Sequence, residues 1–139
     1  MYATKVEMLQ RYQENELIQL TDNIEPYTYQ INDDVLNTAL ADATAEINLH
    51  VSGRYKLPLN PTPDALENIC CVIAFYKLNR RGNTDAERQD YEDALKFLRS
   101  IAEGKTLLDQ GGQEPKSAAA NVDYDDSERF FSRNSLKGF

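Results

Sequence analysis

Few side chains in this sequence could do covalent or metal chemistry. It has one histidine, His50, two adjacent cysteines, Cys70 and Cys71, and no tryptophan. A nucleophilic hydrolase would need His50 beside a serine, threonine or cysteine to act as its base. No G-x-S-x-G motif supplies such a serine, and His50 sits between Leu49 and Val51 late in a helical stretch. Successive side chains on a helix diverge by about 100°, so Cys70 and Cys71 point apart and read as small packing hydrophobes. Being adjacent, they cannot build the disulfide framework of a small secreted domain. The paired acids Asp33–Asp34 and Asp125–Asp126 read as a helix cap and a solvated tail rather than as acid–base dyads. These residues predict a protein that is not an enzyme, with no cofactor and no metal.

Charge narrows the remaining classes. Lys and Arg number 15 against 23 Asp and Glu, giving a net charge of −8 over 139 residues. A sequence-independent nucleic-acid binder needs the opposite sign, because its cations displace counterions from phosphates. The cluster Lys77, Arg80 and Arg81 reads as a complement to the negative end of a helix. Arg54 and Lys56 flank Tyr55 in a proline-rich strip, where packing of Tyr55 and Leu57 over the core is favoured over stacking of Tyr55 on a partner. Hydrophobic residues make up 41% and charged residues 27%, the balance of a folding chain. The longest apolar run, residues 69–76, falls well short of the ~20 residues a membrane span needs. No targeting segment is apparent, so a soluble protein made in a reducing cytoplasm is expected.

The elements that would position these groups are helices. Thr4 with Glu7 forms a capping box for a short helix to about residue 12, with Val6, Met8 and Leu9 as its apolar side. A second short helix covers 16–21 and stops at Asp22 and Asn23. Residues 22–31, with Pro26, Tyr27 and Tyr29, read as a loop carrying at most a little extended structure. Asn32 or Asp33 opens the clearest helix, whose stripe Leu36, Leu40, Ala43, Ile47 and Val51 follows the 3.6-residue period. Gly53 is its expected left-handed stop, and 54–63, with three prolines, an extended surface connection. Thr62 as N-cap and Pro63 at the first helical position predict a helix to about residue 81, apolar all round over 69–76 and ended by Gly82. Thr84 with Glu87 starts a last helix to about 103, with Tyr91, Ala94, Leu95, Leu98 and Ile101 inward and Gly104 as its stop. The fold predicted is all-α: a small bundle of four to five helices with an extended C-terminal arm. Residues 1–104 would form the helical domain, and 105–139 a linker and arm.

That arm is the strongest functional signal among the residues themselves. Phe130, Phe131, Leu136 and Phe139 are too apolar for an idle tail. Such a segment either folds back on its own domain or docks on another chain through aromatic anchors.

Three stretches in order resemble a known family. The opening MYATKVEMLQRY with ENELIQLTD, the central ALADATAEINLHVSGRYKLPL with its GRY-x-LPL connection, and the closing FFSRNSLKGF are similar to Mu-like phage and prophage proteins grouped with head–tail connectors, or adaptors. One departure is Gln13 and Glu14, where the family often has glycine. The resemblance implies a structural virion protein of the phage neck. It would form a homo-oligomeric ring, expected to be dodecameric, between the portal protein and a tail-side neck or tail terminator protein. Genomic DNA would pass through without specific binding, and no membrane is involved. On this reading Phe130, Phe131, Arg133, Leu136 and Phe139 dock on the portal or a neighbouring subunit. Arg54, Tyr55 and Leu57 lie at a subunit interface, and Asp42, Glu46, Asp90 and Asp93 are the acids expected to face the channel. A cytoplasmic interaction or regulatory module of a prophage is the alternative.

Overall fold

A computed structural model describes residues 1–59, 61–79 and 81–108. Among the described residues five helices follow one another: α1 (Lys5–Arg11), α2 (Glu14–Thr21), α3 (Asp33–Val51), α4 (Asp64–Leu78) and α5 (Asp85–Ala102). The fold is all-α, and no strand occurs among the described residues.

The longest helix starts where the sequence says it should. The Asn32 side chain accepts from the amides of Asp34 and Val35 at 3.0 and 3.3 Å, satisfying two of the orphan donors of the first turn. Leu36, Leu40, Ala43, Ile47 and Val51 are then all buried on one stripe, joined by Ala39. This stripe packs on α4, the most extensive helix pairing in the fold, and α5 closes over both. Alanines at 39 and 43 and the small Cys70 let α3 and α4 approach closely. Cys70 Sγ lies 3.8 Å from Thr44 Oγ1 and 4.0 Å from the Leu40 carbonyl oxygen. Burial raises the Cys70 thiol and pushes that of Cys71 up to about 12. Both cysteines are therefore packing groups held protonated. α4 buries Leu66, Ile69, Ile73, Ala74 and Phe75 besides them, on several sides as its composition requires.

Several boundaries differ from the sequence reading, each for a local reason. Pro63 is the N-cap of α4 rather than its first residue: its ψ of 141° keeps it extended and the helix begins at Asp64. α4 ends at Leu78, not near 81, because Asn79 leaves helical geometry and the Asn83 side chain donates to the Tyr76 carbonyl. α1 and α2 are broken by two extended residues, Tyr12 and Gln13, so no glycine is needed there. In α1 only Met8 is buried, while Val6 and Leu9 are 60% and 40% exposed. A helix of two turns has one face to spend, and Met8 takes it.

α3 ends without a left-handed glycine: its C-cap, Ser52, is helical in geometry, and Gly53 has open space around it. α5 is the helix that does stop on one. Gly104 sits at φ +81°. Its amide bonds to the Ile101 carbonyl at 3.0 Å, and the Lys105 amide bonds to that of Ser100 at 2.9 Å, a Schellman ending. The Arg54 side chain occupies the space a Cβ at 104 would need, with Nη2 only 2.7 Å from that point.

Candidate interaction surfaces

Arg54, Tyr55 and Leu57, predicted at a subunit interface, work inside this chain. Arg54 Nε donates to the Ala102 carbonyl at 3.2 Å, placing a cation on the negative end of α5. Tyr55 is buried, and its hydroxyl accepts from the Leu108 amide at 2.8 Å. Leu57 is half-buried against the core, and Leu59 is buried as well. The stretch expected as a surface connection thus dips into the bundle and ties α3 to the end of α5. Residues 105–108, expected as the start of a linker, pack on the body through Thr106, whose hydroxyl is 2.7 Å from that of Ser100, and through buried Leu108.

The four acids expected to face a channel do not form one surface. Glu46, on the α4- and α5-facing side of α3, is held by both helices. Lys77 Nζ pairs with Oε1 at 3.2 Å, and the Tyr91 hydroxyl donates to Oε2 at 3.1 Å. Tyr91 also stacks on Tyr76 with centroids 4.0 Å apart and planes 2° from parallel. Burial first, and the Glu46 charge second, push the Tyr91 phenol up to about 12. Glu46 is therefore a structural crosslink, and Lys77 is spent on it rather than on the α4 terminus. Asp42 is exposed at a separate cleft lined also by Val35, Thr38 and Tyr76. Asp90 and Asp93 lie on α5, on the rim of a different groove.

That groove, of about 590 Å³, runs between α1, α4 and α5. Ile69 and Val72 of α4, Ala94 and Phe97 of α5 and Tyr12 at the end of α1 make its apolar floor. Tyr12 is fixed by stacking on Phe75, centroids 4.1 Å apart. On one rim Arg11 is already engaged, 3.4 Å from Glu67 and 3.4 Å from Asn68 Oδ1. On the other, Asp93 accepts from Gln89 at 2.8 Å. Among the described residues no cation lies within ion-pair distance of Asp90 or Asp93.

A second surface went unnoticed as a site in the sequence. Residues 22–32 project Ile24, Tyr27 and Tyr29, which are 73%, 48% and 77% exposed. The loop is shaped by the Asp22 carboxylate, which accepts from the amides of Thr28 and Tyr29 at 3.1 and 2.7 Å. Tyr29 takes a left-handed φ of 58°, uncommon for a bulky residue. Its closing end is pinned by the Asn32 amide, which donates to buried Thr21 Oγ1 at 3.0 Å. Three large apolar side chains beside a proline, between two helices, were the available signal. Nothing in their spacing told exposure from burial.

His50 Nδ1 is 2.9 Å from the main-chain oxygen of Glu46, one turn earlier in α3. No cluster of three or more histidine, cysteine or acidic residues able to hold a metal occurs among the described residues. No helix among them is long and apolar enough to cross a membrane. Phe130, Phe131, Arg133, Leu136 and Phe139, with Asp125 and Asp126, lie outside the described residues.

A family model described as "Bacteriophage Mu, Gp36" matches residues 2–125. The "Mu-like prophage FluMu protein gp36" of Haemophilus influenzae is 33% identical over the whole chain and 98% of its own length. "Gene product J" of Escherichia phage Mu is 36% identical over 86% of this chain and 82% of its own.

Proposed function

The chain belongs to the bacteriophage Mu Gp36 family, and from that premise we propose that this phage protein is a non-enzymatic head–tail connector. It forms a ring between the portal and a tail-side neck or terminator protein, and the genome leaves through the channel it frames. The observation that carries this reading is that one chain presents two unlike apolar surfaces. The 22–32 loop projects exposed Ile24, Tyr27 and Tyr29 from a hydrogen-bonded backbone; the α1/α4/α5 groove is concave with an acidic rim. Surfaces of different shape make a head-to-tail contact, and such a contact repeats around a ring when its rotation closes. A self-matching patch would make a twofold dimer instead. A loop backbone already held by Asp22 loses less entropy on docking, and exposed tyrosines suit the anchor role.

In the assembled neck the aromatic arm (Phe130, Phe131, Arg133, Leu136, Phe139) docks on the portal, while Asp42, Asp90 and Asp93 are the acids open to a channel. Glu46 is withdrawn from that set by its partners on α4 and α5. Electron microscopy of particles made with and without this protein tests the proposal. Heads and tails that stay unjoined, with the neck ring missing, are the expected result. Particles with normal necks in its absence would sink it. Removing residues 122–139 should leave a folded helical protein that no longer joins heads to tails, and normal joining would overturn the arm's part.

A further inference from the structure

We infer that in the free chain the α1/α4/α5 groove holds the chain's own C-terminal segment, residues 129–139, with Phe130 and Phe131 on the apolar floor and Arg133 facing Asp90 and Asp93. The groove asks for such an occupant. Its floor is apolar and aromatic, and it offers about 590 Å³ where a single benzene ring needs roughly 150 Å³. Its α5 rim presents two carboxylates with no cation among the described residues, while Arg11 opposite is already satisfied.

The segment from 129 onward matches that demand in both respects. It carries Phe130, Phe131, Leu136 and Phe139 with three cations, Arg129, Arg133 and Lys137, and no acid. Residues 109–128 before it hold six acids and one lysine. The charge therefore reverses where the aromatics begin, and a segment of opposite sign to the acidic body is the one able to settle on it.

Reach favours the same chain over a second copy. Leu108 is fixed beside the α5 terminus through Tyr55. Phe97 and Asp90 lie about 8 and 18 Å back from Ala102 along the helix, at 1.5 Å per residue. A coil of twenty residues, the length of 109–128, has a root-mean-square span of about 22–27 Å. A tether of length close to the distance it must cover gives the greatest effective concentration, of millimolar order. A second copy at micromolar concentration would compete poorly. This goes beyond the connector reading, since it concerns the free chain: failure of either leaves the other standing.

The test is paramagnetic broadening in the full-length chain. Ser132→Cys receives a nitroxide; Cys70 and Cys71 are buried and held as thiols, so the unsubstituted chain should take up none. The amides of Val72, Asp93, Ala94 and Phe97 should lose most of their intensity, while those on the far face of α3 keep theirs. Tenfold dilution with untagged chain should leave the effect unchanged within each tagged molecule. F130A/F131A, or D90K/D93K in a chain whose spectrum stays dispersed, should restore severalfold intensity at these amides. No broadening at the groove, or broadening centred elsewhere, overturns the inference. So does broadening that appears on isotope-labelled untagged chains mixed with unlabelled tagged ones, which would seat the arm in a second copy.

Discussion

Glu46 and Asp42 lie one turn apart on α3, and the structure gives them opposite fates. Glu46→Gln keeps the shape of the side chain but removes the charge that Lys77 meets at 3.2 Å and weakens the acceptor for Tyr91 at 3.1 Å. The Glu46 side chain is 21% exposed and that of Lys77 34%, so the pair is neither fully solvated nor fully buried. A solvent-exposed ion pair contributes ~0.2–1 kcal/mol and a hydrogen bond to a charged group ~1.5–3. Discounted for this partial exposure, E46Q should cost about 1–2 kcal/mol. Asp42→Asn, on an exposed side chain, should stay within about 0.5 kcal/mol of the parent. Urea unfolding followed by far-ultraviolet circular dichroism at pH 7 separates the two. The cycle E46Q, Y91F and E46Q/Y91F should show a coupling of ~0.5–1.5 kcal/mol, as expected of groups in direct contact. Half a molar salt should shrink the Lys77 share more than the Tyr91 share. Equal stabilities for E46Q and D42N, with no coupling to Tyr91, would refute the idea that Glu46 joins three helices.

Three further outcomes follow from particular contacts. Gly104→Ala should destabilise by about 1–2 kcal/mol, since φ +81° suits glycine and the new Cβ would meet the Arg54 guanidinium; a midpoint equal to the parent's would contradict the Schellman ending. Tyr55→Phe leaves the Leu108 amide without its acceptor inside the body, costing ~1–2 kcal/mol and speeding hydrogen exchange at 106–108 ahead of the α3–α4 core; exchange unchanged at those amides would count against the tether. The phenols of Tyr12 and Tyr91 are raised to about 12 in the fold, mainly by burial. Raised folded values mean a contribution fully present below the unfolded value near 10 and lost as pH climbs toward 12. Stability should fall across that window, and less steeply in Y12F/Y91F; identical slopes would show that neither phenol is protected.

What the sequence disclosed and what it withheld divide by distance along the chain. The α3 stripe, the Asn32 cap, the Thr84–Glu87 box and the Gly104 stop are local features, and a 3.6-residue period or a three-residue spacing is enough to read them. The contacts that decide the candidate surfaces join residues far apart. Arg54 reaches the end of α5 across 48 positions, Tyr91 reaches Glu46 across 45 and Leu108 reaches Tyr55 across 53. No pattern within a helix announces such pairs, so Glu46 reads as a free surface acid, although the apolar character of Tyr55 and Leu57 already favours packing over the core. Val6 and Leu9 misled for the reverse reason: α1 is too short for periodicity to choose between Met8 and its neighbours. The groove is the extreme case, since α4 and α5 supply two walls and α1, far ahead of them in the chain, supplies the third.

Removing Glu46 from the exposed acids changes what the −8 net charge can mean in a ring. The acids left open are Asp42 at one cleft and Asp90 with Asp93 at another. At physiological salt the field of each carboxylate fades over about 8 Å, so only acids at the channel surface itself would act on passing DNA. D90K/D93K should then slow genome exit from completed particles while D42N leaves it unchanged, provided α5 lines the channel. The opposite ranking in an ejection assay would move the wall to α3.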